Sequence, residues 1–317
     1  MPDGAADRSP AAPPDRRLSR MLGVDIPIIQ APMTYIAGAR LAAAVSNAGA
    51  LGIIETTSPQ GREDLKRVRD LTDRPVGANV ALAFRQVPDI VEILADAEIG
   101  VVTTSAGDPS ILTEPLHEAG ITVLHVVGTV RAALKAVDAG VDGLIVEGVE
   151  GGGFKNLRGS TTFVLLPLVA SQVSLPIVAA GGVCDSRSMA AAFVLGAEGV
   201  QMGTRMLASA ESPVHDNFKA SVVRADDTGT VLLSLPGLPT MRVIRTATAE
   251  EAASTGRSER GLDAVTTLYF EGDMDASLAN TGQVAARIDR VESVADIIAT
   301  TWNGCLEAID QARHRLA

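Results

Sequence analysis

Eight short apolar runs punctuate the first two-thirds of the chain: PIIQAP (27–32), LGIIET (51–56), VGANVAL (76–82), GVVTTS (100–105), TVLHVV (122–127), GLIVEG (143–148), PIVAAGG (176–182) and GVQMGT (199–204). They lack regular polar alternation, so each predicts a strand buried on both faces. Helical patterns fill the gaps at 39–49, 62–71, 87–98, 110–120, 129–140 and 188–196, and several close on glycine, which suits a helix end. The runs start little more than twenty residues apart, with one longer step between the sixth and seventh. That period predicts a parallel sheet wrapped by helices. Eight units fit a closed (β/α)8 barrel better than an open sheet of five or six strands, with an open doubly wound sheet as the competing architecture.

Beyond Arg205 the pattern loosens. Residues 211–292 carry more charge and weaker periodicity, and predict a small, mostly helical satellite domain after the eighth strand. The segment 293–317 predicts a helix returning to a barrel that spans 21–210. Residues 1–20 hold no apolar core; they read as a disordered tail and not as a signal peptide.

Composition narrows the function. A chain of 317 residues, 46% apolar, can bury one large core. Its formal charge of −11 and pI near 4.9 argue against a nucleic-acid surface. Cys184 and Cys305 make neither a disulfide framework nor a thiolate cluster, which suits a reducing compartment. No apolar run reaches membrane-spanning length. The expectation is a cytoplasmic protein acting on a small molecule, with no nucleic-acid or membrane partner and with room for a homodimer.

On a barrel of this kind chemistry sits at the C-terminal ends of the strands. Gly181–Gly182 and Gly203–Thr204 end the seventh and eighth runs, where backbone N–H groups can cradle a phosphate. Neither is a GxGxxG nor a Walker sequence, so a mononucleotide such as FMN fits better than a dinucleotide. Asn79 interrupts the apolar third run; its carboxamide reads a flavin edge or ties down a neighbouring loop. The stretch EGVEGGGFKNLRGS (147–160) predicts a flexible loop over the mouth. It offers Glu147, Glu150 as an acid or base or as a solvated or helix-capping carboxylate, and Lys155 as a partner for a substrate carboxylate or cofactor phosphate or as a plain surface lysine. His125 in the fifth run is a core histidine or a functional one, and His215 is a candidate to reach the mouth from the satellite domain. Tyr269 either roofs a planar cofactor or packs in a core. The histidines at 117, 125, 215 and 314 show no metal spacing, and Cys184 has no neighbouring histidine to activate it.

With these stretches assembled, the chain resembles the nitronate monooxygenase (2-nitropropane dioxygenase) family of FMN-dependent barrel oxidoreductases. The carrying residues are PIIQAPM (27–33), LAAAVSNAGALG (41–52), GANV (77–80), AGVDGLIVEGVEGGG (139–153), LPIVAAGG (175–182), FVLGAEGVQMGTR (193–205), MRVIR (241–245) and FEGD (270–273). The resemblance implies an FMN held by Ala31, Pro32, Met33 and Thr34, by Asn79, and by backbone groups of Ala180–Gly182 and of Met202, Gly203 and Thr204. It places Glu147 and Gly152 on the facing loop. It also implies a histidine in that loop as base or positioner, where this chain has Phe154. The family often has a lysine following the histidine of the fifth strand; here Val126 follows His125. The scaffold and flavin site are thus expected without the usual base. That combination suits oxidation of an already anionic nitronate better than deprotonation of a neutral nitroalkane. The alternative is an NAD(P)H-dependent reductase or isomerase acting on a quinone or an activated C=C, with Phe154 as an apolar wall.

Overall fold

The computed structural model describes residues 16–83, 89–258 and 262–316, with the Asp263 side chain left aside. Its strands in chain order are β1 (Ile28–Gln30), β2 (Gly52–Glu55), β3 (Val76–Ala81), β4 (Val101–Ser105), β5 (Thr122–Val127), β6 (Gly143–Glu147), β7 (Gly153–Phe154), β8 (Ile177–Ala180), β9 (Gly199–Met202), β10 (Thr230–Leu233) and β11 (Met241–Ile244). Eight are parallel, in the order β1-β9-β8-β6-β5-β4-β3-β2. The two ends meet: Leu51 N donates to Ile28 O at 2.9 Å and Gln30 N to Leu51 O at 3.0 Å, next to a parallel bridge between Ile29 and Leu51. The sheet is therefore a barrel and not an open doubly wound sheet.

Both faces of the strands are apolar because both are buried. Ile29, Ile53, Val101, Leu124, Ile145 and Val178 fill the inside, while Ile28, Ile54, Val102, Val123, Leu144 and Val200 meet the helices outside. The N-terminal end of the barrel is plugged by the helix Arg17–Leu22, whose Leu18 and Leu22 join the inner cluster. A Cβ at Gly199 would stand 2.5 Å from the Leu18 side chain, so the plug requires glycine there. The expected tail is corrected accordingly. Residues 17–20 belong to the plug, because leucines four apart give one turn of helix a buried face, and residues 1–15 lie outside the described residues.

The expected helices form with local caps. Thr129 Oγ1 accepts from Ala132 N at 3.1 Å to start Val130–Asp138, and Asp185 closes a capping box with Ser188 to start Ser186–Val194. The expected helix at 87–98 is described as Ile90–Asp96; residues 87 and 88 lie outside the described residues. One helix carried no recognisable period: Thr162–Ala170, TFVLLPLVA, occupies the long step between the sixth and seventh runs and is apolar all round. The helix Val294–Leu316 packs on Ser186–Val194.

After β9 the chain forms the helices Asp216–Arg224 and Ala247–Thr255, and also an antiparallel pair, β10 with β11. The third strand of that small sheet is β7, lent by the loop after β6, with Phe154 opposite Met241. The segment expected to be mostly helical is thus a mixed unit, stitched to the barrel mouth through two residues.

Candidate functional site

Strand parity decides which side chains reach the mouth. On β3, Ala78 and Val80 pack outward, so Asn79 points inward; by the same alternation Thr103, Glu147, Ala180 and Gln201 face the barrel interior. Asn79 is buried, and its Nδ2 donates to Thr103 O at 2.9 Å and Thr103 Oγ1 at 3.0 Å. Its amide hydrogens thus tie β3 to β4. What it has to offer a ligand is Oδ1, whose contact with Ser105 Oγ is a long 3.5 Å.

The two glycine pairs converge with the first loop at one corner of the mouth. Ala31 N donates to Met202 O at 2.9 Å, and a Cβ at Gly203 would meet only the Ala31 methyl, at 3.5 Å. Gly181 and Gly182 both have positive φ, +78° and +82°. Gly181 is dictated by the passing loop, since a Cβ there would lie 2.8 Å from Gly148 O. Gly182 has the Glu150 carboxylate as nearest neighbour, at 3.6 Å. At positions 182 and 203 a Cβ would make only ordinary van der Waals contacts, so neither glycine is dictated by crowding from the protein. Thr204 Oγ1 accepts from Gly282 N at 2.9 Å, and Gly152 lies so close to Gly282 that a Cβ would come within 2.8 Å of its nitrogen. Met202 is turned outward into the core and presents backbone only. Met33 O accepts from Ile36 N and Ala37 N, which folds Pro32–Thr34 into a turn beside this corner. Tyr35 follows at φ +66°, its N–H held at 3.2 Å by the buried carboxylate of Glu55.

Across the mouth, Lys155 donates to Glu147 Oε1 at 2.8 Å and to Phe154 O at 2.9 Å. The lysine side chain is only 4% exposed. A Cβ at Gly151 would sit 2.5 Å from Glu147 Oε1 and 2.9 Å from Lys155 Cε, so a bare backbone at 151 makes room for the pair. An ammonium has three N–H groups. Two are spent on protein acceptors.

Several candidates from the sequence have other work. Of its expected readings Glu150 takes the capping one: both its carboxylate oxygens accept from Thr162 N at 2.9 Å, at the start of Thr162–Ala170. His125 takes the core reading of the two offered by the sequence. Its neighbours Val123 and Val127 pack outward, so the imidazole lies under the helices, with Nδ1 at 2.8 Å from Thr104 Oγ1. Burial holds its pKa down at about 4. His215 accepts from Asn217 N at 3.1 Å as the cap of Asp216–Arg224 and packs on Gly272, away from any role at the mouth. Tyr269 takes the core reading of its two. Its ring stacks on Phe218 at 5.6 Å, the Asn280 N–H bonds its oxygen, and burial pushes the phenol pKa up. Burial likewise pushes the Cys184 thiol up to about 11. Phe154 stands in β7, 39% exposed. Among the described residues no group of side chains could hold a metal ion.

Two polar atoms went unnoticed in the sequence. Gln201 is 6% exposed, and its Oε1 has no hydrogen-bond partner. A polar residue inside the apolar run GVQM is the same signal that singled out Asn79. The Asn280 Oδ1 is also buried without a partner, and its carboxamide lies 3.7 Å from where a Gly153 Cβ would be; nothing in the sequence places it there. A cavity of about 190 Å³ is lined by Cys184, Arg205, Arg287, Arg290 and Glu292 among others, just past the ends of β8 and β9. Its guanidiniums are already paired, Arg205 and Arg290 with Glu292 and Arg287 with Asp185.

Comparison with known proteins agrees with the geometry. The model of the nitronate monooxygenase family matches residues 15–98 and 84–303. The chain is 36% identical to the (3aS,4S,5R,7aS)-5-hydroxy-7a-methyl-1-oxo-octahydro-1H-indene-4-carboxyl-CoA dehydrogenase of Mycobacterium tuberculosis, over 76% of this chain and 69% of that protein. It is 32% identical to a nitronate monooxygenase of Pseudomonas aeruginosa, over 78% of this chain and 79% of that one. Among solved structures, FabK from Thermotoga maritima superposes with a TM-score of 0.87 at 34% identity, covering 94% of this chain and 98% of its own. A nitroalkane oxidase from Streptomyces ansochromogenes shares the fold at a TM-score of 0.80 and 24% identity, covering 93% and 99%. With the family model matching most of its length, the chain belongs to the nitronate monooxygenase family.

Proposed function

We propose that the chain, an oxidoreductase by family, binds FMN at the mouth and oxidises a substrate that arrives as an anion, a nitronate, which Lys155 receives. The residues fit the cofactor. Gly182 and Gly203, which no crowding requires, bare the backbone that a phosphate would meet, and Gln201 Oε1 is a buried acceptor needing a donor such as a ribityl hydroxyl. Asn79 Oδ1 is a second acceptor at the ring end. Bound there, FMN supplies an electron acceptor that O2 can regenerate.

The single observation that carries the reading is the buried Lys155 ammonium with one N–H left over. It stands beside the position where the family's histidine is replaced by Phe154. Glu147 aims the lysine, Gly151 gives the pair its space, and the third N–H is available to a nitronate oxygen. Phe154 can neither take nor give a proton, so a neutral nitroalkane is a poor substrate. Stopped-flow reduction of the bound flavin by propionate 3-nitronate and propyl-2-nitronate tests this: rapid bleaching is expected, and no bleaching by either rejects it.

The second reading has its own support in the apolar Phe154 and in the CoA-thioester dehydrogenase among the relatives. Here an enoyl or related acyl thioester, or a quinone, is the partner and NAD(P)H the reductant. Lys155 would then receive the negative charge that develops on the carbonyl oxygen. Anaerobic bleaching by NADH or NADPH, with no response to nitronates, selects it.

A further inference from the structure

Arg242 is 7% exposed, and among the described residues its guanidinium has no ion-pair partner. Its Nε donates to Val149 O at 2.9 Å and its Nη1 to Thr230 Oγ1 at 3.3 Å. Two of the five N–H groups of a guanidinium are thereby spent, and three are left over. Burial opposes the charge and holds the pKa of Arg242 below its ordinary value; the opposite charge that acts on it is Glu150. That carboxylate is already given to Thr162 N, at the positive end of the helix Thr162–Ala170. A buried charge normally has a partner of its own. Arg242 has none.

Strand register says where the guanidinium stands. On β11, Met241 and Val243 pack into the small core of the satellite unit, whereas Ile244 joins the core around the barrel. Alternation puts Arg242 on the face of Ile244, towards the barrel. Gly153 is opposite Arg242, and Lys155 N donates to Thr240 O at 2.8 Å. Lys155 is therefore the diagonal neighbour of Arg242 on that same face, with Cβ atoms about 7–8 Å apart. Both cations hold the stretch after β6, Lys155 through Glu147 and Arg242 through Val149. Glu147 offsets the lysine. The arginine stays uncompensated.

We infer that Arg242 is a second anion receptor at the mouth, and that the ligand whose anionic end meets Lys155 carries a second anionic group, a carboxylate or a phosphate ester, for Arg242. This rests on the reading of Lys155 given above and adds to it a requirement on the rest of the ligand. The planar fork of a guanidinium suits the paired oxygens of either group.

Isothermal titration calorimetry of the purified full chain with unreactive anions tests it. Butyrate with succinate, and pentanoate with glutarate, are pairs that exchange a methyl for a carboxylate. The dicarboxylate of at least one pair is expected to bind at least about tenfold tighter than its monocarboxylate. That preference is expected to vanish in Arg242→Gln and to survive in part in Arg242→Lys, with thermal melts showing that both variants are folded. Lys155→Met is expected to weaken all four ligands. Where the second group is a phosphate, the dicarboxylates show no preference, and coenzyme A binds at least about tenfold tighter than pantetheine to the parent but not to Arg242→Gln. A parent with neither preference, or a preference that survives Arg242→Gln, overturns the inference; the reading of Lys155 then stands so long as Lys155→Met still weakens the monocarboxylates. Anions that do not bind, or that bind regardless of Lys155→Met, strike that reading and this inference with it.

Discussion

Lys155 Nζ meets Glu147 Oε1 at 2.8 Å, under a turn whose Gly151 has no room for a side chain. The pair joins the end of β6 to the residue after β7, eight positions on, and puts a cation where the barrel opens. If that cation holds the substrate's charge, Lys155→Met lowers kcat/KM for an anionic substrate by about 100-fold, the worth of one or two charge-assisted hydrogen bonds. Flavin content is unchanged. Steady-state kinetics and the visible spectrum of the same preparation separate lost catalysis from lost cofactor.

Phe154→His tests what the loop lacks. A positioned base contributes about 10²–10⁴-fold to a proton abstraction. The variant should therefore gain at least about tenfold on a neutral nitroalkane while its rate with the preformed nitronate stays near that of the parent. Oxygen uptake with the two forms of one substrate reads this directly. Equal gains on both would show that the side chain acts through shape and not through proton transfer.

Gln201→Leu should move two quantities in opposite directions. Without ligand, the unsatisfied buried Oε1 is a cost, so the variant's apo form is as stable as the parent or more so. With FMN, an acceptor has been removed, and affinity falls about tenfold. Urea melts of the apo protein and a fluorescence titration with FMN measure the two.

His125 gives a pH signature unrelated to catalysis. Its folded pKa lies at about 4, below the ordinary value of 6.5, because burial disfavours the imidazolium. The unfolded chain therefore binds the proton first. Stability from this site is fully present above about pH 6.5 and is lost as pH falls towards 4, by on the order of 3 kcal/mol. His125→Gln keeps a partner for Thr104 and has no such proton. The difference between the two proteins' urea midpoints should shrink, and then reverse, as the buffer goes from pH 7 to 4.5.

The barrel was legible because burial on both faces leaves a plain mark: eight runs such as GLIVEG and PIVAAGG at a steady interval. Parity along a strand was only half legible. Asn79 and His125 stand in similar runs, but the sequence does not say which face of a strand is the inside, and the two side chains went opposite ways. The helix Thr162–Ala170 escaped because a helix without a polar side has no period to detect. The small sheet escaped for a different reason. Its β7 is two residues long and exists only because β11, some ninety positions away, offers it backbone partners. The loop after β6 reads as flexible in isolation for the same reason, whereas Lys155 N is fastened to Thr240 O at 2.8 Å.

That fastening limits how the mouth can open. A free loop of glycines would swing on its own, at little cost and on a fast timescale. Here the segment carrying Phe154 and Lys155 is the edge strand of another unit's sheet, so it cannot lift without breaking main-chain bonds to 240–242 or carrying β10 and β11 along. Opening of this loop therefore costs either those main-chain bonds or a displacement of the small sheet as a whole.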